Sequence, residues 1–377
     1  MKSPICKMLG IDFPLLAFSH CRDVVAAVSR AGGFGVLGAT GHSPESVRRE
    51  LKWIDEHVDG KPYGLDVLIP ENMATAGETG VTYNSLKARV PERHRAFARD
   101  LVEGFGVAIT APAVADDQPQ PFDPERAIRV LEAAFEHPIK LIANALGVPP
   151  PVMIEMGRAH GVPVAALVGA KEHAIRQVNA GVDMLVVQGT EAGGHCGEVT
   201  TMVLVPEVLA AIKPIREVPV LAAGGIMNGR QMAACMAMGA AGVWTGSVWL
   251  ATVESETTEI FREKLIEASS RDAVRSKSRT GKPARQLRSA WTEAWDRNPD
   301  SPGALPMPMQ SLVSEAALRS ADRAAAAGNL KARELVTYFV GQGVGLIESV
   351  RSAGAVVQDF KSEFLDAVEH MNSLLEE

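Results

Sequence analysis

A glycine-rich stretch near the middle of the 377-residue chain combines the residue types of an active-site loop. The apolar run 184–187 predicts a buried strand, and the loop that follows it contains His195 among several glycines. These glycines are Gly189, Gly193, Gly194 and Gly197. Glycine adopts positive φ angles and lets backbone N–H groups approach a ligand closely. Because histidine exchanges a proton near neutral pH, His195 is the candidate catalytic residue.

Other reactive side chains near strand ends are weaker candidates. Glu191 could orient the backbone of the loop or be solvated, and Cys196 has no neighbour in sequence that would make it a nucleophile. His20 and Cys21 follow the first predicted strand. They could face the same pocket or simply begin the next helix, and the sequence leaves both interpretations open.

Polar residues and small residues end several other predicted strands. Asp66 and Gln188 could hydrogen-bond a heterocycle lying across the strand ends, or cap the turns that follow. The segments 221–226 and 242–247 end consecutive strands in small residues, which is typical of a phosphate site built from backbone N–H groups. The alternative is that they only permit tight turns. The segment 278–285 holds three cations around a glycine, and predicts either an anion-binding loop or a solvated one.

The elements that must position these residues alternate between strand and helix. Eight predicted strands, separated by short helical units, favour an α/β fold of the (β/α)8 TIM-barrel type over a doubly wound open sheet. The strands are Phe13–Phe18, Phe34–Gly38, Tyr63–Ile69, Ile139–Asn144, Val164–Val168, Asp183–Gln188, Val218–Ala223 and Gly242–Gly246. In an open sheet the glycine fingerprint would follow the first strand, whereas Gly32–Gly35 precedes a strand.

Two regions fall outside this alternation. Residues 70–137, after the third strand, form an insertion that we interpret as lid-like, since long excursions of this kind are commonly functional. Residues 1–252 are then the barrel domain, and 253–377 a helical C-terminal region that packs on it. Helices are predicted over 315–326, 334–339 and 357–375, with one at 206–212 in the barrel. The glycine-rich turn 341–347 is expected to return to the site.

Composition excludes several classes of function. The formal net charge of −7 gives no basic surface for nucleic acid. The absence of an apolar leader or of a bilayer-length apolar stretch predicts a cytoplasmic protein with no membrane partner. Four cysteines, far apart, predict neither a metal site nor a disulfide framework. The oligomeric state is left open, with a homodimer as one option, and the expected partner is a small-molecule substrate.

The loop motifs resemble one known family. Residues 189–195 (GTEAGGH), 223–226 (AGGI) and the segment 239–250 look like those of the nitronate monooxygenase (2-nitropropane dioxygenase) family, FMN-dependent barrel oxidoreductases. The resemblance covers about residues 11–347 and includes Thr280–Gly281 and Gly341–Gln342. It implies FMN as cofactor and His195 as the catalytic residue. The FMN-binding positions that it implies are Ala17, Phe18, Ser19, Asp66, Gln188, Gly193, Gly194, Gly224, Gly225, Trp244, Thr245, Gly246, Ser247 and Gln342.

This chain departs from the family pattern at two places that line the flavin pocket. The first strand usually continues as Gln-x-Pro-Met or Gln-Gly-Gly-Met, where this chain has residues 17–21 (AFSHC). The third strand usually ends in asparagine, where Asp66 stands. The surroundings of the reactive ring are therefore expected to differ from those in other members.

Three functions are compatible with these observations. The first is FMN-dependent, nitronate monooxygenase-like oxidation of a small acidic C–H substrate with oxygen as acceptor. The second is an NAD(P)H-dependent flavin reductase of a quinone or an enoyl thioester, in which Arg279, Lys282 and Arg285 could contact a phosphate-bearing nicotinamide or carrier. The third is a non-redox barrel enzyme that binds a phosphorylated metabolite, and it predicts a colourless protein.

Overall fold

The structure, a computed structural model, describes residues 1–69, 83–110 and 124–375. Its centre is a closed barrel of eight parallel strands, in which the last strand pairs with the first. The barrel strands are β1 (Leu15–Ser19), β2 (Phe34–Gly38), β3 (Tyr63–Val67), β4 (Ile142–Asn144), β5 (Val164–Val168), β6 (Met184–Gln188), β8 (Val220–Ala223) and β9 (Gly242–Thr245). Between β6 and β8 lies the short strand β7 (Gly194–His195), outside the barrel. The (β/α)8 prediction is confirmed.

Successive side chains along each strand alternate between the interior of the barrel and the surrounding helices. The interior cluster includes Leu16, Phe34, Val36, Leu141, Ala143, Met184, Val186, Leu221 and Trp244. In β3, Leu65 and Val67 pack outward under the helices. Asp66, between them, therefore faces the interior near the carboxyl end, and the same alternation in β6 directs Gln188 inward.

The helices form the outer layer and the C-terminal region. They are α1 (Pro4–Leu9), α2 (Arg22–Arg30), α3 (Pro44–His57), α4 (Tyr83–Arg89), α5 (Glu92–Gly104), α6 (Pro124–Phe135), α7 (Pro151–His160), α8 (Lys171–Ala180), α9 (Thr201–Ile212), α10 (Gly229–Ala237), α11 (Glu259–Glu267), α12 (Ala290–Arg297), α13 (Met309–Ala326) and α14 (Ala353–Ser373). None of the helices in the described ranges has the length and hydropathy needed to cross a bilayer.

Helix α1 closes the amino end of the barrel, opposite the predicted site. Ser3 caps it by accepting a hydrogen bond from the Ile5 N–H, and the Ser3 hydroxyl donates to the Ala241 carbonyl just before β9. Ile5 and Leu9 are buried in the interior cluster. Because α1 closes this end, the carboxyl ends of the strands form the open end of the barrel, where ligands bind in barrels of this type.

Helix α9 begins five residues earlier than its sequence pattern predicts. The proline at 206 suggested the first helical turn, since proline is favoured there. In the structure Pro206 lies inside the helix, which starts at Thr201. The carboxylate of Glu191 accepts a hydrogen bond from the Thr201 N–H at 2.9 Å and so caps the helix from another loop. Because the cap comes from a residue of another loop, the sequence around Thr201 does not show where the helix begins.

The insertion divides into two parts in space. Helix α6 packs on α3 and α7 as an ordinary barrel helix, whereas α4 and α5 pack on α13 of the C-terminal region. Val102 of α5 shares a buried cluster with Trp291 and Ala317. The acidic stretch 70–82 and most of the proline-rich loop 111–124 lie outside the described residues, so the lid-like role of the insertion stays a prediction.

The C-terminal region contains strands as well as helices. The strands β10 (Ala273–Ser276) and β11 (Ala284–Leu287) form an antiparallel hairpin, and β11 also pairs with β7. The predicted helix 334–339 is wrong: a 3-10 turn ends at Leu335, and Phe339 makes a β-bridge to Gln286. The turn at 341–347 is a 3-10 helix, Gln342–Leu346.

Candidate active site

His195 is held at the open end of the barrel by the C-terminal hairpin. It pairs with Ala284 of β11, and its Nε2 atom lies 2.9 Å from the Thr280 hydroxyl. The Phe339 ring lies beside the imidazole, with centroids 6.3 Å apart. His195 is therefore positioned by residues that lie far along the chain, of which Thr280 is 85 positions away.

The hydrogen bonds around Thr280 indicate which nitrogen of His195 carries the proton. The Thr280 hydroxyl lies 3.2 Å from the Lys282 carbonyl, which can only accept, and 3.3 Å from the Lys282 N–H, which can only donate. A hydroxyl has a single hydrogen. All these groups are satisfied when Thr280 donates to that carbonyl and His195 donates from Nε2. The Nδ1 atom then carries the lone pair that can accept a proton.

The environment keeps His195 neutral. Its pKa is lowered to about 4, mainly because the partly enclosed imidazole is desolvated and further because the Lys282 ammonium lies nearby. Desolvation and a neighbouring cation both disfavour the imidazolium form. At neutral pH His195 therefore offers a neutral imidazole to whatever occupies the barrel mouth.

Asp66 contributes a second titratable group to the barrel mouth. It is only 3% exposed, and its Oδ1 atom has no hydrogen-bond partner among the described residues. Burial raises the pKa of its carboxyl well above the ordinary value, so the neutral acid is the favoured form. A buried polar atom without a partner costs on the order of 1–3 kcal/mol. A ligand that hydrogen-bonds this carboxyl would recover that cost.

The departure at residues 17–21 places aromatic groups at the end of β1. Phe18 stacks on Trp244 at 6.2 Å and meets His20 edge-on at 5.1 Å. The Nδ1 atom of His20 lies 2.8 Å from the Gly38 carbonyl, so Nδ1 carries the hydrogen and Nε2 the lone pair. Desolvation lowers the pKa of His20 although the residue is solvent-accessible, as expected in a concave site.

Cys21 begins the next helix, which is one of the two roles that the sequence left open. It is the N-cap of α2, is 4% exposed, and its thiol donates to the Glu254 carbonyl at 3.1 Å. Burial raises the pKa of the thiol. Cys21 is therefore a protonated structural thiol at this position.

The two predicted phosphate loops lie side by side, since β8 and β9 are neighbours in the barrel. Gly224 and Gly225 have φ angles of +104° and +73°. A side chain at Gly224 would collide with the Thr201 hydroxyl, whereas one at Gly246 would meet open space. Gly246 is followed by the 3-10 helix Ser247–Ala251, whose N-terminus lies at the open end of the barrel. This arrangement can accommodate a phosphate group.

The segment after α13 reaches the histidine loop through its backbone. The Gln342 N–H donates to the Glu191 carbonyl at 2.8 Å, and the Gly341 N–H donates to the Ser247 hydroxyl at 2.8 Å. A side chain at Gly193 would lie 2.9 Å from the Gly341 nitrogen. Gly193 therefore serves this close approach of two loops, whereas a side chain at Gly194, with φ +74°, would meet open space.

Three of the predicted positions turn their side chains away from the barrel mouth. Ala17 packs in the outer cluster under the helices. The Ser19 hydroxyl accepts a hydrogen bond from the Cys21 N–H at 3.1 Å, and the Thr245 hydroxyl donates to the Leu16 carbonyl at 2.9 Å. Of Ala17 and Thr245, which are buried, only the backbone is available to a ligand, whereas the half-buried Ser19 hydroxyl already accepts one hydrogen bond.

Glu191 orients the backbone of its loop, which is one of the two roles that the sequence left open. Its carboxylate accepts hydrogen bonds from the Thr201 N–H and from the Thr201 hydroxyl, both at 2.9 Å. A side chain at Gly189 would strike Thr201 at about 2.1 Å from its hydroxyl. The first turn of α9 therefore fixes the backbone that leads to His195.

Two cations of the segment 278–285 have internal partners. Arg279 pairs with Glu315 at 3.0 Å and lies over the rings of Tyr338 and Phe339, 5.0 Å from each centroid. Arg285 donates to the Thr190 carbonyl at 2.9 Å and to the Ala273 carbonyl at 2.7 Å. These contacts connect the segment 278–285 to α13 and to the loop that contains His195. The interpretation that the two arginines grip a phosphate is replaced by this structural role.

Sequence reasoning did not assign Thr280 and Phe339 to the site. Thr280–Gly281 was visible only as part of a family resemblance, and Phe339 lay in a segment predicted as helix. The signal for both is the pairing of β11 with β7 and with Phe339, which is non-local. No spacing within the sequence reports such a contact.

Comparison with known proteins agrees with this architecture. The family model described as nitronate monooxygenase matches residues 3–363. A Mycobacterium tuberculosis protein named as a monooxygenase is 53% identical over 383 residues and covers 100% of both chains. The solved structure of FabK from Thermotoga maritima is 26% identical, with a TM-score of 0.72 over 99% of both chains.

A further solved structure supports the fold alone. Nitroalkane oxidase from Streptomyces ansochromogenes is 23% identical, with a TM-score of 0.76 over 97% of this chain and 99% of that one. The family model covers nearly all of the described barrel together with the C-terminal hairpin that holds His195. This chain therefore belongs to the nitronate monooxygenase family of flavin-dependent oxidoreductases.

Proposed function

We propose that the protein is an FMN-dependent monooxygenase that oxidises a small acidic C–H substrate, with an alkyl nitronate as the reference substrate and dioxygen as acceptor. The observation that carries the proposal is the neutral His195, held by Thr280 in a glycine loop at the open end of the barrel. A neutral imidazole at this place can accept a proton or a hydrogen bond from a substrate.

The residues present fit FMN. The flavin ring would lie across the strand ends, where Asp66 has a buried oxygen without a partner among the described residues and Gln188 faces the interior. The phosphate would lie at the loops after β8 and β9, where Gly246 leaves open space. The Phe18–His20 pair would contribute an aromatic wall. We propose that Asp66, Gln188, Ser247 and Gln342 bind FMN through their side chains, and that Gly194, Gly224, Gly225 and Gly246 bind it through their backbone. Ala17, Gly193 and Thr245 would contribute backbone atoms, and Ser19 its backbone or its hydroxyl.

The chemistry divides between cofactor and protein. Bound FMN would take electrons from the substrate and pass them to dioxygen. His195 would accept at Nδ1 any proton that the substrate releases, while Thr280 holds the imidazole through Nε2. Asp66, as a neutral acid, would donate a hydrogen bond to an acceptor atom of the ring. Phe339, whose ring lies beside the imidazole, would limit the access of water to it on that side.

A second candidate is an NAD(P)H-dependent flavin reductase of a quinone or an enoyl thioester. Its support is the likeness to FabK of Thermotoga maritima, at a TM-score of 0.72. Against it, Arg279 and Arg285 are engaged in internal contacts and are not available to a phosphate-bearing nicotinamide. The non-redox barrel enzyme has less support, because this chain belongs to a flavin-dependent family.

Anaerobic absorbance spectra distinguish these functions. The purified protein is expected to be yellow, to keep its colour with NADH or NADPH, and to bleach when an alkyl nitronate is added. Bleaching by a nicotinamide would favour the reductase, and failure to bind FMN would contradict both flavin functions.

His195→Ala should retain FMN and lose about 10²–10⁴-fold in turnover. His173→Ala, on the surface helix α8, is the matched control and should keep full turnover.

A further inference from the structure

The imidazole of His20 carries a hydrogen-bond acceptor that no described residue uses. Its Nδ1 atom lies 2.8 Å from the Gly38 carbonyl, which can only accept, so the hydrogen of the neutral ring is on Nδ1. The Nε2 atom therefore keeps its lone pair. Among the residues that the structure describes, none donates a hydrogen bond to this atom. Desolvation lowers the pKa of His20, so the lone pair is retained at neutral pH.

The glycine at the end of β2 makes room for this ring. A side chain at Gly38 would lie 2.7 Å from the His20 Nδ1 atom and 2.7 Å from the Phe18 ring. The Phe18 ring meets the imidazole edge-on, with centroids 5.1 Å apart. The hydrogen bond to Gly38 and the edge contact with Phe18 therefore hold the imidazole in one orientation, and its lone pair has a set direction.

His20 lies at the mouth of the barrel. Phe18 packs against the interior cluster and stacks on Trp244. Since His20 comes two residues later, just after the carboxyl end of β1, it lies further out on the same side. The residue is exposed, and yet desolvation is the main cause of its lowered pKa, as expected of a group that lines a concave wall. A substrate entering the barrel passes this wall.

We propose that His20 is a specificity-determining residue whose Nε2 atom accepts a hydrogen bond from a hydroxyl or N–H group of the substrate. This inference rests on the proposed function and deepens it, because it names the substrate class. The substrate has an acidic C–H bond, whose proton His195 accepts, and a separate hydrogen-bond donor, which His20 binds. A simple nitroalkane lacks that donor and leaves the acceptor unpaired, which lowers its affinity.

Two carboxylates of equal size test this binding without turnover. 3-Hydroxypropanoate and butanoate have the same number of non-hydrogen atoms, and differ by a hydroxyl in place of a methyl group. Each is titrated into the purified holoenzyme by isothermal titration calorimetry. Wild type should bind the hydroxy compound about three- to tenfold more tightly. Equal affinities would overturn the proposal.

His20→Asn should abolish this preference and keep the fold. The asparagine amide can still donate to the Gly38 carbonyl, whereas nothing replaces the acceptor at Nε2. His20→Gln, whose side-chain oxygen reaches further, should restore part of the preference. A His20→Asn protein that lost FMN but kept the preference would overturn the proposal, because the imidazole would then serve the flavin.

His160→Asn is the matched control and should keep the preference. His160 also contacts a backbone carbonyl through Nδ1, that of Met156 at 2.9 Å, and also has an aromatic neighbour, Phe135. It ends α7, which runs back to the amino end of the barrel, away from the mouth.

Steady-state kinetics give the second arm. 2-Nitroethanol and 1-nitropropane form the corresponding pair of substrates. The ratio of their kcat/KM values should fall about three- to tenfold in His20→Asn, mainly through a higher KM for 2-nitroethanol. An equal loss for both compounds would overturn the proposal, because it would show a structural defect. If wild type oxidised neither compound while the preference for 3-hydroxypropanoate still depended on His20, the proposed function would fail and the binding site for the donor would stand.

Discussion

The Nε2 atom of His195 lies 2.9 Å from the hydroxyl of Thr280, although the two residues are 85 positions apart. His195 belongs to the loop after a barrel strand, and Thr280 to the turn of a hairpin in the C-terminal region. The two meet because β11 pairs with β7. The catalytic candidate therefore depends on a part of the chain that forms none of the barrel.

Thr280→Val tests whether this contact positions the imidazole. Valine keeps the shape of threonine and removes the hydroxyl, so His195 loses its partner at Nε2. We expect kcat with the reference nitronate to fall about tenfold to a hundredfold, since the imidazole would no longer be held in the orientation in which it faces the substrate. FMN content should be unchanged.

Thr280→Ser is the control for that variant. Serine retains the hydroxyl that contacts Lys282 and His195, so most of the activity should return. Nitrogen-15 NMR of histidine reports the tautomer directly, and wild type should show the proton on Nε2 of His195. A proton on Nδ1 in wild type would contradict the assigned tautomer, and equal activity in both variants would contradict the positioning role.

His195 should stay neutral well below the ordinary pH range of histidine. Its pKa in the folded protein is about 4, against about 6.5 in an unfolded chain. Because the folded form binds the proton less well, stability is unaffected above about pH 6.5 and is lost as the pH falls toward 4. A histidine NMR titration, with His195→Gln to assign the signal, should show a neutral ring at pH 5. A midpoint near 6.5 would contradict the expectation.

Asp66→Asn should stabilise the protein without cofactor. Burial raises the pKa of the Asp66 carboxyl, so its contribution to stability is greatest at low pH and is lost as the pH rises above about 3.9, the unfolded value. Asparagine does not titrate. Urea unfolding of the cofactor-free protein should therefore show the variant as more stable at pH 7, with the difference shrinking as the pH falls.

The matched control is an exposed carboxyl. Asp100 of α5 has a side chain 70% exposed, and Asp100→Asn should change the free energy of unfolding by no more than about 0.5 kcal/mol. The Asp66→Asn protein should still bind FMN, since an amide also offers a donor and an acceptor. A variant less stable than wild type at pH 7 would show that the Asp66 carboxylate has a partner in solution.

Glu191→Ala should loosen the histidine loop and the start of α9. The change removes the acceptor for the Thr201 N–H and hydroxyl, and loss of such a cap costs about 1–2 kcal/mol. Chemical denaturation measures this loss. Glu198→Ala removes a carboxylate whose side chain is 83% exposed and should cost at most about 0.5 kcal/mol. Similar values for the two variants would rule out the role of Glu191 as a cap.

Much of the barrel is determined locally. The strands β2 and β5 and the helices α7 and α8 have the bounds that apolar runs, glycines and prolines predict. The end of β6 and the two glycine loops after β8 and β9 follow from the same signals. These features depend on propensities and on periodicity within a few residues, which the sequence alone contains.

The contacts that complete the site are decided only by tertiary structure. The Glu191 cap of α9, the pairing of β7 with β11 and the contact of Thr280 with His195 each join residues far apart in the chain. Burial decides the rest: the same aspartate or histidine has an ordinary pKa in water, and desolvation makes Asp66 a neutral acid and His195 a weak base. The sequence names the reactive groups, and the fold decides their protonation and their partners.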